Sequence, residues 1–271
     1  MGNVASIVRS FLDQHILLKA SVVNFTIQWL FCPLAFHYQT EIFDLVGSSS
    51  FIYLSWATLF WSKRGTSQPF FKRQILQNFC VSVWSARLGT FLYARQIRTK
   101  NGKRFYRARL DCRTCFKYWT IQGIWVYLTL LPTFVLNLKL TDQAFNSADY
   151  VGFSLWACGF LIEAIADYQK SIFQDNIENR GKFITTGLWN LCRHPNYLGE
   201  IILWFGLFLP AANCMEDLEY LSALSPLVLA YLLINISGVP RLERQADQRW
   251  GSLFEYKVYK SRTAKLFPFL W

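Results

Sequence analysis

Apolar residues along the 271-residue chain gather into seven blocks, near 20–36, 42–61, 74–93, 118–138, 149–166, 198–212 and 218–239. Each is about 15–22 residues long, close to the roughly 20 that a helix needs to cross a bilayer. The pattern predicts an all-α protein: a polytopic membrane helical bundle of about seven transmembrane helices, forming a single integral membrane domain over residues 1–271. The block at 198–212 is short, and its helix is expected to start at Pro195, where a missing N–H costs nothing. The block at 74–93 contains Arg87, which must face protein or water and not lipid.

Charge sets an orientation. Seven spans place the chain ends on opposite sides. One side collects the 94–117 loop, the 167–197 loop and the C-terminal tail, with about 20 Lys and Arg against about 7 opposite. That side is expected to be cytosolic, with the C-terminus on it and the N-terminus lumenal. Lys63, Arg64, Lys72 and Arg73 fall on the wrong side for this rule. The net charge of +11 belongs to these loops, and no nucleic-acid module accompanies it, so nucleic acid is not an expected partner. The 53% hydrophobic composition and 17% charged residues fit a membrane protein better than a soluble one.

Seven Cys are scattered without a disulfide framework. Cys112 and Cys115 form one C-x-x-C, which lacks two further ligands for zinc; no metal is expected. Three His, at 15, 37 and 194, are too few for a histidine-rich di-iron oxygenase. Gly2 with Ser6 fits a myristoylation pattern, which would require a cytosolic N-terminus, against the charge rule. The first residues lack the apolar core of a cleavable signal peptide. The glycosylation signals at Asn24 and Asn235 lie inside apolar blocks and read as core polar residues.

The polar residues at the mouths of the apolar blocks need another explanation: Glu163, Asp167, Asn179, Asn196, Glu200 and Glu243 are not accounted for by cations meeting anionic lipid. In "LCRHPNYLGEIILWFG", counting from Pro195 puts Glu200 at the sixth helical position, beyond a capping box or the reach of the helix dipole. Asn196, Gly199 and Glu200 share one face. A carboxylate and an amide beside a glycine notch suit a ligand carboxamide, which offers donors and an acceptor. Arg193 suits a phosphate. Asp167 suits a ribose hydroxyl and Lys170 a phosphate, and "NRGKF" places Arg180 and Lys182 around Gly181 in a turn fit for phosphates. No G-x-G-x-x-G after a strand and no Walker A run occurs, so a bound nucleotide would sit in a helical pocket opening to the cytosol.

These residues carry a resemblance. "GKFITTGLWNLCRHPNYLGEIILWFG", with "ADYQK" before it and "SGVPRLERQADQRWG" after it, closely resembles the DUF1295 proteins of the steroid 5-alpha-reductase C-terminal superfamily. The ending "YKSRTAKLFPFLW" is similar to the ends of steroid 5-alpha-reductases. The resemblance covers about residues 80–271, leaving 1–80 as the expected substrate side. It implies NADPH as cofactor and reduction of a double bond conjugated to a carbonyl, with a lipophilic substrate; the missing signal peptide and cytosolic loops suit the endoplasmic reticulum membrane. It assigns the nicotinamide end to Asn196 and Glu200, with His194 and Tyr197 beside them, and matches Asp167, Arg180 and Lys182 to the family's cytosolic positions. Steroid-active members carry a His where this chain has Gln248 or Arg249. Their ketone-gripping Glu and Tyr have no clear counterpart: Glu41 and Tyr53 are candidates by residue type, and Tyr197 by position. A more distant similarity, to isoprenylcysteine carboxyl methyltransferases around "RHP.Y.G", leaves an S-adenosylmethionine-dependent methyltransferase as an alternative, and a non-catalytic lipid-binding protein as another.

Overall fold

The computed structural model describes residues 2–38, 42–99 and 111–268, with side chains from residue 15 onward in those ranges except Thr99. Glu41 and the basic stretch 100–110 lie outside the described residues. The described chain is helical. Its only paired extended backbone is one parallel bridge between Cys192 and Ala264. Among the described residues four segments are long and apolar enough to cross a membrane: His15–Tyr38, Cys112–Leu138, Ser147–Asp175 and Asp217–Trp250.

The chain forms two compact units, one from Met1–Phe145 with Ala211–Ser222, the other from Asn146–Pro210 with Ala223–Trp271. Residue 80, where the resemblance was expected to begin, lies within the first unit. That unit contains α1 (Gly2–Tyr38), α2 (Phe43–Lys63), α3 (Lys72–Thr99) and α4 (Cys112–Leu138). Asp111 caps α4 by accepting from the N–H groups of Arg113 and Thr114, at 3.2 and 3.0 Å, so of the residues expected in the 94–117 loop, 94–99 and 112–117 are helical. Phe51 meets Trp84 and Trp125 edge-on in the core, at 5.2 and 4.9 Å.

Amides tie this core together. Asn78 Nδ2 donates to Asn137 Oδ1 at 2.8 Å, and Asn137 Nδ2 donates to Ser55 O at 2.8 Å and Thr58 Oγ1 at 3.0 Å. Asn24 is fully buried and donates to Gly123 O at 2.7 Å, as a core polar residue. Asn235 and Ser237 are exposed instead: the helix loosens into a π turn over Leu232–Ile236 and turns both outward. Cys115 is buried with its Sγ 3.5 Å from Cys32 Sγ, while Cys112 is exposed.

Two of the four cations that broke the charge rule are internal. Lys63 is 7% exposed; it donates to Lys139 O at 2.9 Å and lies over the Phe71 ring. Arg73 is 1% exposed and binds Asp142 at 3.0 Å, the carbonyls of Gln143 and Ala144, and Cys214 Sγ. They bond polypeptide just beyond the α4 C-terminus, and neither presents charge to a lipid surface.

The second unit holds α5 (Ser147–Asp175), the single turn α6 (Leu188–Leu191), α7 (Pro195–Ala212), α8 (Leu224–Tyr231) running into the π turn, α9 (Val239–Trp250) and α10 (Phe254–Arg262). A capping box starts α5: Asn146 Oδ1 accepts from Ala148 N, and Asp149 Oδ2 accepts from Asn146 N, both at 2.9 Å. Glycines seven residues apart on α5 and on α7 let the two helices meet backbone to backbone. A Cβ on Gly159 would stand 2.6 Å from Gly199 O; one on Gly206 would stand 2.7 Å from Gly152 O. Small residues permit such an approach where apolar burial gives no advantage over lipid. Gly199→Leu is expected to force the helices apart at a cost of about 1–3 kcal/mol or more. A melting temperature in detergent equal to wild type would show that the pair is not packed this tightly.

Candidate functional site

Pro195 does open α7, and His194 takes the preceding position, its carbonyl accepting from Leu198 N at 3.1 Å. Just before it, Arg193 N donates to Ala264 O at 2.9 Å, fastening the approach to the segment after α10. Asp167 and Lys170 stand on α5, which continues to Asp175, and not in a loop. Asp167 is 6% exposed and Glu163, one turn before it, 2%. Asn196 Nδ2 donates to Asp167 Oδ1 at 3.3 Å, so the first turn of α7 meets this acidic face of α5. Asn196 Oδ1 is buried without a donor among the described residues.

Gly199 does not leave the notch for a ligand that its sequence suggested. A Cβ there would stand 2.6 Å from Glu163 N and Gly159 O: the space belongs to α5. Glu200 is part-buried on the same helix. Lys170 Nζ lies 4.4 Å from the centre of the Trp189 ring, and Trp189 Nε1 donates to Ala166 O at 3.0 Å, which holds the cation against α6.

Arg193 is committed within the protein. Its Nε and one terminal nitrogen donate to Glu243 Oε1 and Oε2, each at 3.1 Å; its other terminal nitrogen donates to Lys260 O at 2.7 Å and Thr263 O at 3.0 Å. This fork ties the start of α7 to α9 and α10. Arg180 and Lys182, in contrast, are exposed around Gly181, whose φ of +83° makes the turn. Trp250 Nε1 donates to Gly181 O and anchors that turn to α9. A groove of about 300 Å³ opens alongside, lined by Tyr168, Gln169, Phe173, Asn176, Asn179 and Thr186 among others.

His194 is 5% exposed. Its Nε2 is 2.8 Å from Glu243 Oε1, its Nδ1 is buried without a partner among the described residues, and its ring stacks 6.0 Å from Tyr197. Burial pushes its pKa below the usual 6.5; Glu243 opposes this and the Lys170 and Arg193 charges reinforce it. Sequence had marked Glu243 only as an unexplained acid. Its partners lie 49 and 50 residues away, so no local spacing could reveal it. Tyr53 is 51% exposed on α2, in the first unit. Among the described residues no group of three His, Cys, Asp or Glu is placed to hold a metal.

The sequence matches one protein family across residues 30–263, the family described as "Protein of unknown function (DUF1295)". The chain belongs to the DUF1295 family. Among its relatives, "Uncharacterized protein C594.04c" of Schizosaccharomyces pombe is 28% identical over 228 residues, covering 73% of this chain and 64% of that protein. "Probable O-methyltransferase ustE" of Ustilaginoidea virens is 40% identical over 68 residues, 25% of this chain and 24% of that protein. The chain thus spans less than two thirds of either relative's length. No solved structure matches this DUF1295 chain.

Because the folded His194 holds its proton less tightly than the unfolded one, the unfolded state gains the proton first as pH falls. Stability is present above about pH 6.5 and declines as pH drops below it. Melting temperatures between about pH 7.5 and pH 5.5 should fall for wild type and less for His194→Gln. Parallel pH curves for the two proteins would remove His194 as the cause.

Proposed function

We propose that this DUF1295 protein is a membrane NADPH-dependent reductase that acts on a carbon–carbon double bond conjugated to a carbonyl in a lipophilic substrate. The observation that carries the reading is the polar junction of α5 and α7, where Asn196 is bonded to Asp167 and keeps a buried acceptor beside His194. Similarity of "RHPNYLGE" to steroid 5-alpha-reductase-like proteins supports it. Buried polar atoms are ordinarily satisfied, and acceptors here suit the N–H groups of a carboxamide.

In this reading NADPH, when bound, supplies the hydride. Asn196 and Glu200 hold its carboxamide end, and Asp167 accepts from a ribose hydroxyl. Arg180 and Lys182 meet phosphate, a role better suited to exposed cations than to Arg193. Lys170 adds positive charge to the same helix. The groove beside Tyr168 and Phe173 takes the rest of the nucleotide. Tyr197, Glu41 and Tyr53 are the candidates for the acid that polarises a substrate carbonyl. The seven apolar blocks become seven spans in the endoplasmic reticulum membrane, with the C-terminus and the cofactor pocket cytosolic.

A second reading, an S-adenosylmethionine-dependent methyltransferase, is favoured by the partial match to the Ustilaginoidea virens protein. Binding of NADPH and of S-adenosylmethionine to purified protein decides between them; binding of neither would favour a non-catalytic lipid-binding role. Glu200→Gln and Asn196→Leu should each weaken NADPH binding roughly 10- to 150-fold, from the loss of a charged hydrogen bond or an unmatched polar group. Lost thermal stability with intact NADPH affinity would make the pair structural. A C-terminal tag in sealed microsomes should be digested by added protease; its survival would reverse the topology.

A further inference from the structure

Among the described residues His194 bonds through one of its ring nitrogens, and what it bonds decides the other's chemistry. Glu243 Oε1 lies 2.8 Å from Nε2. The same carboxylate receives two donors from Arg193, each at 3.1 Å, and has Lys260 Nζ at 3.5 Å from Oε2. A carboxylate facing two cations accepts hydrogen bonds and does not donate them, so the imidazole proton belongs on Nε2. A neutral imidazole with Nε2–H presents Nδ1 as an acceptor. Burial, with the nearby Lys170 and Arg193 charges, disfavours the charged ring, and Glu243 opposes this. Nδ1 is buried and meets no donor among the described residues. Two positions along, Asn196 spends its Nδ2 on Asp167 and is left with a second buried acceptor, Oδ1.

We propose that His194 Nδ1 and Asn196 Oδ1 form a paired-acceptor specificity site that reads an exocyclic –NH2 group of the cofactor, and that Glu243 is the positioning residue holding His194 in the tautomer this requires. The proposal rests on the cofactor reading above and adds a requirement to it: the ligand must bring N–H donors. A carboxamide or an aromatic amino group meets it, and a carboxylate in the same place is rejected by two acceptors. His194 is then a reader of the ligand, not a proton donor to the substrate. Arg193, which engages both oxygens of Glu243, fixes the carboxylate so that one oxygen faces the ring.

The test uses the full-length protein in detergent with His15→Gln and His37→Gln, which leaves His194 as the only imidazole. Nitrogen-15 spectra of the labelled ring report its tautomer directly. The expected spectrum has the proton on Nε2, and NADPH should shift the Nδ1 resonance. The nicotinic acid analogue of NADPH, which replaces the carboxamide by a carboxylate, should bind at least roughly 10-fold more weakly and leave the Nδ1 resonance in place. In Glu243→Gln the amide oxygen is expected to turn toward Arg193 and Lys260 and its NH2 toward the ring. That moves the proton to Nδ1 and erases the preference for NADPH over the analogue. If this variant does not fold, the wild-type spectrum and the two affinities still decide. A proton on Nδ1 in the wild type overturns the proposal. So does equal affinity for NADPH and its acid analogue, which leaves NADPH binding itself intact. A Nδ1 shift with S-adenosylmethionine and none with NADPH keeps the paired acceptors, now reading the adenine amino group, and transfers the function to the methyltransferase reading. Failure of both cofactors to bind defeats the cofactor reading and this proposal together.

Discussion

Where Gly199 lies against the backbone of Gly159 and Glu163, no side chain separates α5 from α7. The contact between Asn196 and Asp167 lies beside that approach. With the helices this close, Asn196 at the first turn of α7 falls opposite Asp167 on α5, and Glu163 is shut in at 2% exposure. Larger residues at either glycine would open the pair and leave the acids of α5 without their neighbours. The same approach repeats one heptad away at Gly152 and Gly206, so the alignment is fixed at two points along the helices.

The polar end of this pair is held by a carboxylate that ties three helices through ion pairs and a hydrogen bond. Arg193 and His194 precede α7, Glu243 is on α9, and Lys260 is on α10. A buried carboxylate is costly unless it is paired and hydrogen-bonded. Glu243 meets that condition with one guanidinium, one imidazole and one ammonium. Together these groups seat His194, whose Nδ1 is buried without a partner among the described residues. The first unit uses a different device: neutral amides such as Asn78 and Asn137 bond one another and the helix backbones, and Lys63 and Arg73 turn inward onto the chain after α4. A bundle in lipid gains little from apolar contact between helices, so hydrogen bonds and close packing carry more of its specificity.

The apolar blocks, the helix start at Pro195, the helical fold and the family were legible in the sequence. Block length and hydropathy are local quantities, and a proline at a first helical position is a local rule. Of the four cations near residues 63–73, Lys63 and Arg73 are buried while Arg64 and Lys72 are exposed, a difference that a count of charges along the chain does not carry. Asn235 misled because a π turn rotates it outward, which spacing counted at the α-helical period cannot anticipate. Cys112 and Cys115, three residues apart, face different surroundings, one exposed and one against Cys32.

By itself, the chain's order of residues determined which segments are helical and that Asn196, Gly199 and Glu200 share a face, because helix periodicity acts over a few residues. Only the tertiary structure decided what that face meets. It filled the glycine notch with α5, paired Arg193 with Glu243, and left His194 Nδ1 buried without a partner among the described residues. Those outcomes depend on partners 29 to 50 residues distant along the chain. Coulomb forces and packing act through space, so they pair groups whose sequence separation carries no signal.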